Sequence, residues 1–355
     1  MSVKSSVWRL AADAYRTGRV LSRVLSRVLV LAAIPVLFSV SQSPAQSEFS
    51  LGVPVVCTLG VDCFIQNYFD GDPGPGIGDY ACTASSYDGH TGTDFRVASM
   101  ADIARGVSVV ASASGTVKAT RDGMMDVIMT DEQRADVEGR ECGNGVVLDH
   151  GNGWETQYCH LRRGSVEVER GDVVAAGDKI GEIGSSGLSE FPHLELSVRK
   201  DGENVDPFTG MIADGVCGPA AEAGALWADG VTLPEPQSED LEAGFTTGPI
   251  SPDDAVGKTK AFPLPEANGA ALVYYAHLAN LRAGDVQRIQ IIRPNGEVLV
   301  AQQAEALPQN QASYVIFAGR RTPDGGWPTG TYRGEYQLIR GDDVVLQRTD
   351  RVEVR

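Results

Sequence analysis

Short runs of residues that favour β-strands, each ended by a glycine-containing turn, dominate residues 85–208 and return in residues 269–355. Runs such as 107–113 and 193–199 have a length typical of strands, and most helices are longer. Between two of these runs, the Gly-Asn-Gly segment 151–153 is a typical hairpin turn. The chain also has 41 glycines and 18 prolines against only 7% aromatic residues. The pattern predicts an all-β chain without long amphipathic helices.

The length of 355 residues and the gap between the two β-rich regions predict two folded domains. From the N-terminus we expect a lead-in over 46–84, a first domain over 85–215, a linker rich in alanine, proline and acids over 216–265, and a β-sandwich over 266–355. The sandwich should be small and immunoglobulin-like in architecture. Its aromatic residues are scattered, so we expect it to position the protein or to contact a protein partner.

The N-terminus has the order of regions found in a secretory signal peptide. Basic residues extend to Arg27, an apolar stretch covers 28–40, and small and polar residues follow. About 13 apolar residues are too few to span a bilayer comfortably, and Pro35 interrupts them. We expect cleavage near Ala45, which removes residues 1–45 and exports a chain without a membrane span to the periplasm or beyond. An uncleaved membrane anchor is the alternative.

The formal net charge of the chain is −17, although the predicted signal peptide is basic. The exported part is therefore more acidic still. A strongly acidic surface repels phosphate backbones and anionic lipids. The composition therefore argues against nucleic acid as a partner.

All six cysteines lie beyond the predicted signal peptide. An even number of cysteines in an exported chain predicts disulfide bonds, and the absence of a Cys-x-x-Cys pair argues against a zinc knuckle. Six cysteines allow about 15 pairings. Cys57 and Cys63 could close a short loop, Cys142 and Cys159 lie on what should be neighbouring hairpin strands, and Cys82 with Cys217 is then the remaining pair.

Three of the five histidines stand in segments that suggest one shared site. His90 and Asp94 belong to a His-x-Gly-x-Asp pattern, and residues four apart on a strand face the same side. His193 and Glu195 share a face in the same way, and His160 ends the second strand of the predicted hairpin. A single strand histidine is usually structural, but imidazoles and carboxylates together are typical metal ligands. The combination therefore predicts a metal site.

With their intervening segments, these residues resemble the lysostaphin/LytM-type zinc metallopeptidases of peptidoglycan, metallopeptidase family 23. The resemblance covers residues 85–208 and includes 115–117, 143–153, 158–161, 173–181, 184–187 and 192–194, in the family's order and spacing. It implies an antiparallel sheet that carries a narrow groove, with the metal on the floor of the groove.

The resemblance also implies a role for each residue of the site. His90 and Asp94 match two zinc ligands, and His193 matches the general base. His160 matches the histidine that stabilises the oxyanion. The family's third ligand is the second histidine of a His-x-His pair, and this chain has Glu195 in its place.

Glu195 changes the charge of the predicted metal site. A glutamate can bind zinc through oxygen, but the set His90, Asp94 and Glu195 brings two negative charges where the family has one. A more nearly neutralised ion is a weaker Lewis acid, and oxygen-rich sites suit harder ions such as Mn²⁺. A slower zinc enzyme, an enzyme with another divalent ion, and a degenerate domain without metal therefore remain open.

The resemblance implies an exported metalloendopeptidase that hydrolyses the peptide cross-bridges of peptidoglycan. The alternative is a degenerate, metal-free module that binds peptidoglycan or activates a cell-wall amidase. We interpret His150 as a hairpin residue and His277, which lies in the second domain, as a buried or edge-strand residue. No Gly-x-Ser-x-Gly elbow surrounds Ser185 or Ser186, which argues against a serine hydrolase.

Overall fold

A computed structural model of the protein describes residues 49–218 and 224–355. The predicted signal peptide over 1–45, with its cleavage site, lies outside these ranges. Within them, seventeen strands are accompanied by two six-residue α-helices and one 3-10 helix. The all-β class predicted from the sequence is therefore confirmed. No helix in the described ranges is long and apolar enough to cross a bilayer.

The first domain contains ten strands, most of them in one antiparallel sheet. The strands are β1 (Phe64–Ile65), β2 (Thr93–Arg96), β3 (Ser108–Val110), β4 (Gly115–Arg121), β5 (Asn144–Gly151), β6 (Trp154–Leu161), β7 (Val173–Val174), β8 (Lys179–Glu182), β9 (His193–Lys200) and β10 (Glu203–Val205). The large sheet has the order β1-β2-β9-β6-β5-β4-β7, with β10 added beside β9, and β3 pairs with β8 separately.

The central strands β2 and β9 present one face to the core and the other to a groove. Phe95, Leu194 and Leu196 are completely buried in the core of this domain. Because successive side chains on a strand point to opposite faces, Asp94 and Glu195 lie on the groove side. The antiparallel register places these two residues directly opposite each other.

Two short helices complete the first domain. Helix α1 (Met100–Arg105) follows β2, and its first turn is capped by a hydrogen bond from the Ser99 N–H to the Asp102 carboxylate. The charged segment between β4 and β5 contains the 3-10 helix Asp131–Val137. Backbone N–H groups of Val127 and Met129 in the same segment donate to the carbonyls of Ser185 and Ser189. This segment therefore lies beside the groove.

Residues 49–84, predicted as an extended lead-in, pack into the first domain. Strand β1 pairs with β2, and the side chains of Leu51 and Tyr68 are buried in its core. Asp79 accepts three backbone hydrogen bonds in the turn that follows. The lead-in is thus part of the structure that surrounds the groove.

The C-terminal part of the chain is a β-sandwich, as predicted. Its strands are β11 (Glu239–Thr246), β12 (Ala271–Leu281), β13 (Val286–Ile292), β14 (Val298–Gln303), β15 (Gln311–Arg321), β16 (Gly330–Arg340) and β17 (Asp343–Val354). The order in one sheet is β11-β12-β15 and in the other β14-β13-β16-β17, and every pairing is antiparallel. Buried side chains of both sheets, including Tyr274 and Ile289, form one core.

Part of the segment predicted as a linker, 216–265, belongs to this sandwich instead. Strand β11 pairs with β12 and is followed by helix α2 (Pro252–Gly257). The acidic residues of β11 suggested a solvated connection, but Leu241 and Phe245 are buried, and so is Glu239. The burial of alternate residues explains why an acidic sequence forms a strand here.

Three disulfide bonds are present, with the pairing expected from the sequence: Cys57–Cys63, Cys82–Cys217 and Cys142–Cys159. No cysteine in the described part of the chain is free. The last bridge ties the segment beside the groove to the residue that precedes His160.

The lead-in also contacts the sandwich. The side-chain amide of Asn280 donates to the carbonyl oxygen of Gln66 at 2.7 Å. The hydroxyl of Tyr68 donates to the carbonyl oxygen of Pro234 at 2.9 Å. A small buried apolar cluster spans the same junction and consists of Phe64, Leu241 and Ala279.

Candidate metal and catalytic site

The groove floor gathers side chains from three strands and one loop. Strand β2 supplies Asp94, strand β9 supplies His193 and Glu195, and His90 comes from the loop before β2. His160 is near the end of β6 and has a φ of 61°, a left-handed conformation that is uncommon for a residue other than glycine. The structure thus brings all five residues predicted for the site to one groove.

The carboxylate of Asp94 lies close to the imidazoles of both His90 and His193. The Nε2 atom of His90 lies 3.3 Å from Oδ1 of Asp94, and the Nε2 atom of His193 lies 3.6 Å from the same oxygen. The other carboxylate oxygen of Asp94 accepts a hydrogen bond of 2.7 Å from the side-chain amide of Asn67. Asn67 therefore orients the carboxylate so that Oδ1 faces the two imidazoles.

Hydrogen bonding and burial define the protonation of His193. The Nδ1–H of His193 donates to the carbonyl oxygen of Phe191 at 2.7 Å, which leaves a lone pair on Nε2. Burial lowers the pKa of His193 to about 4, although the charge of Asp94 opposes this change. His193 is therefore neutral at pH 7, with its unprotonated nitrogen beside a carboxylate.

The donor set fits a bound cation. Both ring nitrogens of His90 and the Oδ1 atom of Asp94 are buried without a hydrogen-bond partner. Buried polar atoms are almost always paired, so such atoms facing one another call for a proton or a metal ion between them. For bonds of about 2.0–2.1 Å, a tetrahedral ion separates its ligand atoms by roughly 3.3 Å, which matches the distance between Nε2 of His90 and Oδ1 of Asp94.

Glu195 is turned towards His160 rather than towards His90. Its Oε2 atom lies 3.3 Å from Nε2 of His160, whose Nδ1–H donates to the carbonyl oxygen of Ser186 at 2.7 Å. Burial alone would lower the pKa of His160, but the carboxylate of Glu195 outweighs burial and raises it. The pKa of Glu195 is lowered, because His160 outweighs the opposite effect of burial. The two side chains therefore form an ion pair.

The ligand atoms of the predicted set are consequently not gathered around one point. Among the described residues, one group of three His, Cys, Asp or Glu ligand atoms lies within 4.8 Å of one another, namely Cys57, Asp62 and Cys63. Its two cysteines are joined in a disulfide, so this group is no metal site. His90 and Asp94 are adjacent as predicted, whereas the carboxylate of Glu195 contacts His160.

Several residues of the site were not found from the sequence. The ring of Tyr87 packs against His90 at 4.4 Å between centroids, and Phe191 packs against His193 at 4.5 Å. With Asn67 and Arg134 they line a cavity of about 330 Å³ over His160 and His193. Tyr87 and Phe191 lie within three residues of His90 and His193, which is the one signal the sequence offered for them, whereas Asn67 and Arg134 come from segments distant in sequence from the histidines.

The remaining two histidines lie elsewhere, as interpreted from the sequence. His150 bonds the carbonyl of Ser114 and the hydroxyl of Thr156 at the base of the hairpin. His277 is completely buried in the central strand β12 and contacts the hydroxyl of Ser313. Burial lowers the pKa of His277 to about 3, so it is a neutral core residue.

The sequence of the first domain is similar to that of a known family of peptidases. Residues 88–207 match peptidase family M23. An uncharacterized metalloprotease of Haemophilus influenzae is 30% identical over 120 residues, which are 34% of this chain and 20% of that protein. The DD-carboxypeptidase/endopeptidase Mpg of Neisseria meningitidis is 34% identical over 104 residues, 29% of this chain and 21% of that protein.

A third relative is the peptidoglycan DD-endopeptidase ShyA of Vibrio cholerae, 34% identical over 112 residues, which are 31% of this chain and 20% of that protein. The match thus spans about a fifth of the length of each of these relatives. The family match, residues 88–207, includes the three histidines of the groove. Residues 88–207 of this chain therefore form a domain of peptidase family M23.

Proposed function

We propose that this protein is an exported metalloendopeptidase that hydrolyses peptide cross-bridges of peptidoglycan. The observation that carries the proposal is the buried pair of His90 and Asp94 on the floor of an open groove, whose facing atoms have no hydrogen-bond partner and lie beside the imidazole of His193. The names of two relatives support the substrate class, since one is a DD-carboxypeptidase/endopeptidase and the other a peptidoglycan DD-endopeptidase.

His90 and Asp94 would hold the divalent ion, which is zinc or a harder ion such as manganese. Glu195 would complete the ligand set by turning its carboxylate away from His160. When bound, the ion supplies a Lewis acid that polarises the scissile carbonyl and acidifies a water molecule. Asn67 keeps the carboxylate of Asp94 in the orientation that binding requires.

The two other histidines supply the proton chemistry. His193 is neutral, and its Nε2 lone pair faces the centre of the site, so it accepts a proton from the attacking water. The Nδ1–H of His160 is fixed on the Ser186 carbonyl, so its Nε2 atom faces the site, and the charge of Asp94, in addition to that of Glu195, raises the pKa of His160 and favours a proton there. It can donate a hydrogen bond to the oxyanion that develops on the substrate.

Export agrees with the disulfide bonds. Disulfide bonds such as these three form and persist in oxidising compartments, for example the periplasm or the extracellular space, and are rare in the cytosol. The signal peptide proposed over 1–45 would deliver the chain there. The partner at the groove would be the peptide of peptidoglycan, while the C-terminal sandwich remains available for contact with a protein.

The decisive experiment measures metal content and the release of soluble muropeptides on the same purified samples. Glu195→Ala should lower metal occupancy, and Glu195→His should bind zinc more tightly and cleave about tenfold faster, because a second imidazole leaves the ion more positive. His193→Ala should abolish cleavage and retain the metal. If His193→Ala loses the metal and Glu195→Ala keeps it, His193 is the third ligand instead.

A metal-free module that binds peptidoglycan or activates an amidase is the second candidate. The His160–Glu195 ion pair favours it, since this contact satisfies both side chains without an ion. A parent protein that binds no metal, together with a Glu195→His variant that gains neither metal nor activity, would establish this function and refute the enzyme.

A further inference from the structure

The catalytic cavity is bounded on one side by the C-terminal sandwich. Ala312, at the start of β15, lines the cavity over His160 and His193. A second cavity, also of about 330 Å³, lies between the lead-in and the sandwich. Asn67, Ser86 and Ala312 line both cavities. The two cavities are therefore neighbouring parts of one groove, and its second part lies between the two domains.

This second part has defined walls. Asn280 lines it and holds the Gln66 carbonyl at 2.7 Å, while Tyr68 bonds the carbonyl of Pro234. The apolar cluster of Phe64, Leu241 and Ala279 packs at the same junction. Because hydrogen bonds and buried apolar contacts fix both walls, the cleft is preformed.

The charge of the cleft differs from that of the whole protein. None of the described residues that line it is acidic, although the chain carries a net charge of −17. Arg282 is the one arginine among the lining residues; it is half-buried, and its guanidinium donates to the carbonyl of Pro236 at 3.1 Å. No ion pair within the described ranges includes Arg282, so its charge is available to an anion.

We infer that this cleft is a second substrate subsite, which binds a peptide segment with a free carboxylate on Arg282 while the scissile bond lies at His160 and His193. The inference rests on the proposed function and makes the sandwich a determinant of specificity. A cross-linked muropeptide has two peptide branches, and a groove of two adjoining parts accommodates both. Arg282 and Ala312 are then specificity residues outside the M23 domain.

The test uses the full-length protein and a soluble cross-linked muropeptide. Arg282→Glu and Ala312→Trp should each weaken binding in calorimetry about tenfold or more, through charge reversal and through filling of the passage. In cleavage assays KM should rise and kcat should stay unchanged. The matched controls Arg288→Glu and Ala301→Trp change exposed residues of the other sheet of the sandwich, and they should behave as the parent.

A chemical control addresses the carboxylate itself. The parent should bind a muropeptide with amidated carboxylates about as weakly as Arg282→Glu binds the native one. Equal affinity of the parent, Arg282→Glu and Ala312→Trp for the native muropeptide overturns the subsite, whether or not the parent cleaves. Binding that depends on Arg282 in a parent that releases no muropeptide supports the subsite and refutes the proposed endopeptidase. Arg282→Glu loses the Pro236 contact, so the exposed Ala312→Trp change serves as the independent variant.

Discussion

Single residues decide whether this groove can hold an ion. Asp94 has one oxygen bound to Asn67 and one oxygen directed at two imidazoles. Glu195 stands where the resemblance to the family predicts a histidine, and its carboxylate is paired with His160. The same five residues can therefore form either a metal centre or an internally paired cluster, and small changes around them should shift the balance.

Asn67→Ala should weaken metal binding. Without the amide, the carboxylate of Asp94 is free to rotate, and loss of such an orienting partner typically costs about 10–100-fold in metal affinity. Zinc affinity is measured by competition with a chromophoric chelator. Asn204→Ala, in β10, is the control and should leave the affinity unchanged. Equal affinities for both variants would show that Asn67 does not orient the ligand.

Asp206→Asn should change how stability depends on pH. Burial raises the pKa of Asp206 to about 7, so the folded protein retains a proton that the unfolded chain loses near pH 4. The stability from this proton is complete below about pH 4 and is lost as the pH rises through about 7. The variant cannot ionise, so at pH 8 it should exceed the parent by about 4 kcal/mol.

Urea unfolding at several pH values from 4 to 8 measures this difference. The N–H of Phe208 donates to Oδ1 of Asp206 at 2.9 Å, and the side-chain oxygen of an asparagine can still accept this hydrogen bond. The two proteins should therefore have similar stability at pH 4. A constant difference across the range would mean that Asp206 stays ionised when folded.

At the scale of strands and loops, the sequence predicted contacts between residues that are close in the chain far better than contacts between residues that are distant in the chain. The hairpin of β5 and β6 was predictable, because its turn and both strands are contiguous in sequence. The pair His193–Glu195 was predictable from strand periodicity, whereas His90 lies in the loop before β2 and meets Asp94 without sharing its strand. Strand β11 was missed, because its acidic residues resemble a solvated segment. Asn67 was missed since it reaches Asp94 across 27 residues from a loop without a pattern.

Gly334→Ala in β16 should destabilise the sandwich. A Cβ atom at this position would come within 2.3 Å of the Tyr274 ring, which is completely buried in the core between the sheets. Overpacking of this kind costs about 1–3 kcal/mol. Thermal unfolding measures the effect. Gly244→Ala in β11 is the control, because its Cβ would meet Tyr275 at an ordinary 3.7 Å. If both variants melt as the parent does, the Tyr274 ring can move aside.

At the scale of the whole molecule, two domains with separate cores are joined through the lead-in. The first core surrounds the large sheet, and the second lies between the two sheets of the sandwich. The disulfide bonds are confined to the first domain and its flanking segments. They differ greatly in the length of chain that they close, from 6 residues for Cys57–Cys63 to 135 for Cys82–Cys217.

Loss of the long-range bridge should therefore cost the most stability. If a bridge acts by restricting the unfolded chain, the double variant Cys82→Ser/Cys217→Ser should lose about 5 kcal/mol. Cys57→Ser/Cys63→Ser, which opens a short loop, should lose about 2 kcal/mol. Urea unfolding under non-reducing conditions compares the two. A greater loss for the short-loop variant would show that native contacts at Cys57 and Cys63 matter more than chain entropy.

The hydrogen bond between Asn280 and Gln66 has a consequence for the order in which the protein is made. Backbone groups of Gln66 and Asn67 bond both the N–H and the carbonyl of Asp94, and Gln66 is itself held by a residue 214 positions later. The ribosome therefore produces all of the M23 domain, residues 88–207, before the side chain that secures this support exists. A nascent chain completes the support of this groove only after most of the sandwich's strand β12 has been synthesised.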